Sequence, residues 1–166
     1  FTSEGVRTVP TEYLAALVDG AHAAGALYVA DEVQIGFGRT GPRLWWFAQQ
    51  GITPDVVTLG KPMGAGYPIA AALTRREIAD VLASRYEFFS TFAGNPVAAA
   101  ASLAVLDLLE DGAIPAHAVA LGEELRARNL RAAQSFCGDN VQHGVFHCGR
   151  CDKELVFPRD AGAVLR

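Results

Sequence analysis

The alternation of apolar and polar positions divides the chain into helices and short buried strands. Apolar residues recur at helical spacing over 10–25, which predicts an amphipathic helix that ends at Gly25. The continuous apolar runs ALYVA (26–30) and PDVVTL (54–59) are typical of buried strands. A strand that follows a helix makes an αβ unit. The remaining predicted elements are a helix-like patch at 44–51, a strand at 66–74, and helices over 75–84, 97–111 and 115–133.

The apolar helix over 97–111 has clear start and stop signals. Asn95 followed by Pro96 predicts a helix cap with proline at the first helical position, and Gly112 ends the helix. Its residues are nearly all small or apolar, so we expect it to be buried, in the core or between subunits.

A single lysine lies between a predicted buried strand and a segment rich in glycine and proline. In TLGKPMGAGYP (58–68), Lys61 follows the strand, and the glycines and prolines after it should prevent regular structure and admit a ligand close to the backbone. The carboxyl ends of strands are where open α/β sheets bind ligands. A lysine partly shielded from water there is a nucleophile for carbonyl groups. From this stretch alone, the ordinary alternative of a lysine pointing into water is favoured.

The strand over 26–30 ends in two carboxylates, Asp31 and Glu32. For Asp31 alone, a helix cap or turn former is the favoured interpretation. Because parallel strands share a carboxyl edge, Asp31 and Lys61 are both expected to reach one pocket. A Schiff-base lysine facing a carboxylate is the protein's part of pyridoxal-phosphate (PLP) chemistry, in which the carboxylate keeps the pyridine nitrogen protonated.

Composition excludes several classes of protein. The chain has 166 residues, 51% of them hydrophobic, and a formal net charge of -4, so it can bury a core and offers no basic stripe for nucleic acid. It contains no apolar run long enough for a membrane span and no signal-peptide pattern. Three cysteines make no disulfide framework, which favours the cytosol. The chain begins FTSEG without an initiator methionine, so we expect a fragment of a longer protein.

Three blocks of sequence carry a family resemblance: DEVQIGFGRTG, PDVVTLGKPMGAGYPIAAALTRREI and STFAGNPVAAAA. In order and spacing they resemble the class III PLP-dependent aminotransferases, most closely the alanine–glyoxylate and ethanolamine-phosphate phospho-lyase subgroup. The resemblance implies an α/β fold, the PLP-dependent transferase fold type I, with a partial large domain built on a mixed, mostly parallel sheet. It also implies a division into part of the PLP-binding domain (1–112), a connecting helix (113–134) and an atypical small-domain start or divergent tail (135–166).

The resemblance also assigns roles around the cofactor. Lys61 would hold PLP as an internal aldimine and act as a base once a substrate amine displaces it, and Asp31 would pair with the pyridine nitrogen. Val33 would pack on one face of the ring, and Gln34 would reach the ring hydroxyl. These residues match the family motif position by position.

Further implied contacts come from a hydroxyl pair and from a second subunit. Thr91, with Ser90 beside it, would bind the cofactor phosphate of the neighbouring subunit, which predicts a homodimer with shared active sites. A turn hydroxyl is the alternative for Ser90. The resemblance assigns Glu32 no contact with the cofactor, and Arg39 is expected to tie the loop, with anion binding as the alternative.

The implied activity is transfer of an amino group from an amine or amino acid to a 2-oxo acid. Two alternatives stay open: another PLP reaction on this scaffold, such as a phospho-lyase or aminomutase reaction, or an inactive truncated chain that at most binds a partner. The family's glycine-rich phosphate loop, the aromatic that stacks on the ring and the substrate-binding arginine are not found, so this fragment alone is expected to be inactive.

Residues after about 134 depart from the family pattern. A divergent loop, a frame error or a chimeric join could each account for this tail. A zinc cluster or a redox motif is the less favoured alternative because the spacing is not that of a standard finger, and no metal is predicted. The residues concerned are His143, His147, Cys148 and Cys151.

Overall fold

The computed structural model describes residues 10–137 and three short strands nearer the C-terminus, and it describes side chains for residue 10 and for 12–128. Among the described helices, none combines the length and the apolar character that crossing a bilayer requires. The helices are α1 (Thr11–Ala23), α2 (Trp46–Gln49), α3 (Arg76–Arg85), α4 (Pro96–Glu110) and α5 (Ala113–Cys137). The strands are β1 (Val29–Asp31), β2 (Val56–Leu59), β3 (Ala71–Thr74), β4 (Val145–Cys148), β5 (Lys153–Val156) and β6 (Val164–Leu165).

The first three strands form one sheet in the order β1-β2-β3. As predicted, β1 and β2 run parallel, with Asp31 opposite Thr58, while β3 is antiparallel to β2 and places Thr74 opposite Val56. This part of the sheet is therefore mixed. Parallel pairing puts the carboxyl ends of β1 and β2 at one edge. The last residues of β3 lie at the other edge, beside the start of β2.

The chain divides into two compact units, Thr11–Ala116 and a second unit that contains β4, β5 and β6. In the second unit these strands form an antiparallel sheet in the order β4-β5-β6. The domain boundaries expected from the sequence stay predictions. The side chains of the tail histidines and cysteines lie outside the described residues, and no group that could hold a metal ion occurs among the residues whose side chains are described.

The local signals place the longer helices correctly. α1 ends at Ala23, and Gly25 follows at a φ of 75° with its N–H donating to the carbonyl of His22. At the start of α4, Asn95 Oδ1 accepts a hydrogen bond from the backbone N–H of Ala98 at 2.8 Å, which is the predicted cap. The strand expected over 66–74 is shorter than predicted, since only Ala71–Thr74 is extended and paired.

Within the described residues, α4 is buried on one face only, and its expected burial between subunits stays a prediction. α4 packs against the turn at 61–64, and the buried positions of the helix are Ala98, Ser102 and Val105, which recur at helical spacing on one face. The other faces expose large side chains: Leu103, Leu106 and Leu108. An apolar composition predicts burial but does not say which faces the described elements cover.

The core lies around the end of β2. Phe37, Leu59 and Val105 form a buried cluster, with Trp45 and Met63 packed against it. The rings of Phe37 and Trp45 meet edge to face, with centroids 5.1 Å apart. This cluster ties the loop after β1, the last residue of β2 and the turn that follows it into one packed group.

A junction around Asp55 fixes the other edge of the sheet. Its carboxylate accepts hydrogen bonds from the backbone N–H of Tyr28 at 2.9 Å and from Arg75 at 2.7 Å, and lies 2.8 Å from His22 Nε2. The Thr74 hydroxyl donates to the Asp55 carbonyl at 2.8 Å. One residue thus joins the last turn of α1, the approach to β1 and the end of β3, and thereby sets the register of β2.

The Asp55 junction predicts a specific dependence of stability on pH. The Tyr28 N–H first, and then His22, lower the pKa of Asp55 below its ordinary value of 3.8, with the charge of Arg75 acting in the same direction. A lowered carboxyl pKa adds stability above pH 3.8, and this stability is lost as the pH falls through the lower pKa of the folded state. We expect Asp55→Asn to flatten the acid limb of the unfolding free energy measured against pH. Parallel acid limbs for the two proteins would contradict this assignment.

Candidate active site

Asp31 and Lys61 lie at the same edge of the sheet. Asp31 is the last residue of β1 and pairs with Thr58 of β2, and Lys61 begins the turn that follows β2. Both side chains are exposed in this structure. The shared edge follows from the parallel pairing, as the sequence predicted. The expectation that Lys61 is partly shielded from water is not met by the described residues.

Asp31 is held by two hydrogen bonds that fall on the same oxygen. Its Oδ1 accepts from the backbone N–H of Val33 at 3.0 Å and from the hydroxyl of Thr58 at 3.2 Å. The first is a bond to the backbone two residues on, so the turn-forming role considered from the sequence is also observed. The two bonds fix Oδ1 between the loop after β1 and the neighbouring strand β2.

The loop after β1 touches the residue that precedes Lys61. A Cβ atom added to Gly60 would lie 3.1 Å from Val33 Cγ1, so the valine packs directly over the glycine. A side chain at position 60 would approach Val33 more closely than is usual, so the valine would have to shift. Val33 therefore links the Asp31 loop to the turn carrying Lys61, while its predicted contact with a cofactor ring stays a prediction.

The segment after Lys61 is more regular than predicted. Residues Lys61–Gly64 form one turn of 3₁₀ helix, and the Gly60 carbonyl accepts a hydrogen bond from the N–H of Met63 at 2.6 Å. Pro62 does not prevent this turn because a proline at the start of a helix loses no hydrogen bond there. Ala65 ends the turn in the left-handed region, at a φ of 49°. The turn fixes the backbone from which the Lys61 side chain projects.

Glu32 has a structural role that its sequence position did not indicate. The side chain is 1% exposed, and its two carboxylate oxygens accept the backbone N–H groups of Trp46 at 3.1 Å and Phe47 at 2.9 Å. These are the first N–H groups of α2, which have no partner within the helix. Burial raises the pKa of Tyr28, and the nearby charge of Glu32 raises it further. Glu32 thus fastens α2 to the end of β1.

We expect Glu32→Gln to destabilise the fold by about 1–3 kcal/mol, because the amide turns one acceptor into a donor that faces a backbone N–H. Chemical denaturation measures the loss. Thr40→Val is a matched control, since Thr40 accepts a bond from Gln49 of α2 at an exposed site. Equal stability of Glu32→Gln and the wild-type protein would refute the role of Glu32.

The other predicted cofactor residues lie in the loop after β1 and in the segment between α3 and α4. Gln34 is half-buried and has an interaction partner. Ser90 and Thr91 are exposed in the segment between α3 and α4. No hydrogen bond between described residues joins this hydroxyl pair to Asp31 or Lys61. The exposed Arg39 forms no ion pair within the described part of the chain.

Two residues that hold the site in place were missed by the sequence analysis. Thr58 reaches Asp31 across the strand pair, and Asp55 fixes the far end of β2. The sequence offers only weak signals for them: a hydroxyl in an otherwise apolar strand, and an aspartate after a proline. Neither signal points to a partner, because both partners are distant in sequence.

Comparison with known proteins decides the family. The family described as aminotransferase class-III matches residues 2–146 of the chain. This chain belongs to the class-III aminotransferase family. The family consists of PLP-dependent enzymes, so the cofactor predicted for the family is confirmed.

Relatives of the chain carry two kinds of name. It is 39% identical over 141 residues to the Caenorhabditis elegans protein named ethanolamine-phosphate phospho-lyase homolog 1, covering 82% of this chain and 30% of that protein. It is 39% identical over 140 residues to a Drosophila melanogaster protein named alanine–glyoxylate aminotransferase 2-like, covering 82% of this chain and 28% of that protein. The chain therefore spans less than a third of the length of these relatives.

A solved structure gives the same fold. A phospholyase from Arthrobacter, solved in complex with phosphoethanolamine, superposes with a TM-score of 0.74 at 37% identity, covering 91% of this chain and 33% of that one. The predicted fold class, PLP-dependent transferase fold type I, is confirmed.

The residues at this edge fit PLP chemically. A primary amine on a fixed turn can bond covalently to an aldehyde, and a carboxylate can hold a protonated ring nitrogen. Both groups are exposed and so accessible to a ring. The chemistry of Asp31 and Lys61 is therefore compatible with PLP.

Proposed function

We propose that the protein is a transaminase that moves an amino group from an amine or amino acid to a 2-oxo acid, with PLP held by Lys61. The observation that carries this proposal is the pairing of β1 and β2, which brings an oriented carboxylate and an accessible lysine to one sheet edge. A lysine and a carboxylate at separate edges could not serve one cofactor.

Bound PLP would supply an electron-withdrawing ring that stabilises negative charge on the carbon next to the substrate amine. The chain's own residues would do the rest. Lys61 Nζ would hold the cofactor and, when released, carry a proton between the substrate carbon and the cofactor. The charge of Asp31 would keep a proton on the ring nitrogen. Val33, which already packs on Gly60, would keep water from that side of the site.

The proposal includes a homodimer with shared active sites. Ser90 and Thr91 would bind the phosphate of the partner's cofactor. The exposed aromatic residues next to them support an interface, since aromatic side chains are enriched there. These are Tyr86, Phe88, Phe89 and Phe92, each at least 67% exposed in this structure. The cytosolic location stays a prediction.

One observation favours a second candidate, elimination of phosphate from a phosphorylated amino alcohol. The Caenorhabditis elegans protein named ethanolamine-phosphate phospho-lyase homolog 1 and the Arthrobacter phospholyase bound to phosphoethanolamine are 39% and 37% identical to this chain, and the alanine–glyoxylate aminotransferase 2-like relative is 39% identical. Both reactions need the lysine and the carboxylate, so the site residues are the same for the two candidates.

Product analysis separates the two candidates. The protein is incubated with PLP and phosphoethanolamine or with an amine donor and a 2-oxo acid, and inorganic phosphate and the new amino acid are measured. Amino-acid formation that depends on the 2-oxo acid is expected. Phosphate release without it would favour the elimination reaction. The absence of both products, with a cofactor bound at Lys61, would identify an inactive chain.

A further inference from the structure

We propose that Thr58 is a positioning residue that orients Asp31 towards the cofactor ring, an inference that rests on the proposed function. The Thr58 hydroxyl donates to Asp31 Oδ1 at 3.2 Å, across the parallel pair β1–β2. The family resemblance described above assigned no role in the site to Thr58. Its effect would pass through Asp31 and not through contact with substrate.

The sheet register makes the contact a fixed one. Asp31 and Thr58 are partners in the pairing of β1 with β2, and the Thr58 carbonyl accepts the N–H of Glu32 at 3.0 Å. The Asp55 carboxylate, bonded to the Tyr28 N–H and to Arg75, supports this register from the other end of β2. A slip by one residue would turn the hydroxyl to the opposite face of the sheet. The threonine is thus held opposite Asp31 by backbone bonds on both sides.

The two carboxylate oxygens of Asp31 differ in the hydrogen bonds that they accept, and this difference explains the role of the Thr58 hydroxyl. Both hydrogen bonds that described residues donate to Asp31 fall on Oδ1, one from Val33 and one from Thr58. With Oδ1 occupied, Oδ2 is the oxygen offered to the ring nitrogen. Thr58 is also the one polar residue of β2, so a strand-forming role alone would be served equally by the valine found at positions 56 and 57.

The test compares Thr58→Val with Thr58→Ser. Valine keeps the branched shape and removes the hydroxyl, whereas serine keeps the hydroxyl and removes the methyl group. With PLP labelled with ¹⁵N in the ring, the ¹⁵N chemical shift reports whether the ring nitrogen is protonated. We expect Thr58→Val to move this shift towards the unprotonated value and lower kcat about tenfold, with KM changed less than about twofold. Thr58→Ser should have a ¹⁵N shift, a kcat and a KM close to those of the wild-type protein.

Thr74→Val is the matched control for stability. Thr74 also donates a hydroxyl hydrogen bond, to the Asp55 carbonyl at 2.8 Å, but at the far edge of the sheet. The Thr74→Val substitution should lower the unfolding free energy without moving the ¹⁵N shift. An unchanged ¹⁵N shift in Thr58→Val, or an equal change in Thr74→Val, would overturn the positioning role.

A measurement without cofactor keeps this inference separate from the proposed function. In a crystal structure of the cofactor-free Thr58→Val protein, Asp31 should leave its single orientation and occupy more than one rotamer. An unchanged Asp31 would overturn the proposal whether or not PLP binds. If PLP never attaches to Lys61 in the wild-type protein, the proposed function fails. If PLP attaches to Lys61 but Thr58→Val changes neither the ¹⁵N shift nor the orientation of Asp31, the proposed role of Thr58 fails and the proposed function stands.

Discussion

Replacement of Lys61 by alanine is expected to abolish transamination by the protein that contains this chain. The substitution removes both the covalent hold on the cofactor and the amine that moves the proton, so the rate should fall by at least about 10³-fold. Because Lys61 is exposed on a turn that backbone hydrogen bonds maintain, the fold should persist. Turnover, the visible absorbance of bound cofactor and the unfolding free energy are measured together.

The sequence offers a matched control for this experiment. The chain has two lysines, Lys61 and Lys153, and the second lies in β5 of the other unit. Lys153→Arg should leave both turnover and cofactor absorbance unchanged. Retained turnover in Lys61→Ala would show that the proposed function rests on the wrong residue.

Asp31→Asn is expected to reduce activity by about 10²–10⁴-fold while preserving the fold. The amide keeps an oxygen that can accept from Val33 and Thr58, so the turn and the strand pair remain. The lost charge matters because a neutral amide stabilises a protonated pyridine far less than a carboxylate does. Steady-state kinetics measures the loss of activity, and denaturation measures whether the fold is preserved.

Glu32→Gln is the control at the neighbouring carboxylate. It should lower stability, since its target is the N-terminus of α2, whereas Asp31→Asn should lower activity. If Asp31→Asn remained fully active, Asp31 would not be the partner of the ring nitrogen.

The sequence predicted the part of the site that depends on local signals. An apolar run followed by glycine and proline placed Lys61 just after a strand, and a second run placed Asp31 at the end of its neighbour. The rule that parallel strands share an edge then brought the two together. Backbone geometry alone is enough for this conclusion, and for that reason it could be reached without coordinates.

What the sequence missed depends on contacts between distant residues. Glu32 binds N–H groups fourteen and fifteen positions away, and Thr58 binds Asp31 across 27 positions. Such bonds depend on how loops return and on strand register, which composition and spacing do not fix. The described residues bury only one face of α4, because hydrophobicity does not state whether the same chain or a second subunit covers each face.

The assignment of Lys61 as the cofactor lysine is tested by mixing the chain with PLP, reducing it with borohydride, and locating the modified residue by peptide mass. Label on Lys61 alone is expected, with a visible absorbance band before reduction and with Lys153 unmodified. This result would mean that the edge formed by β1 and β2 selects one lysine. Label shared between the two lysines, or no label, would contradict the claim that this edge is a cofactor site.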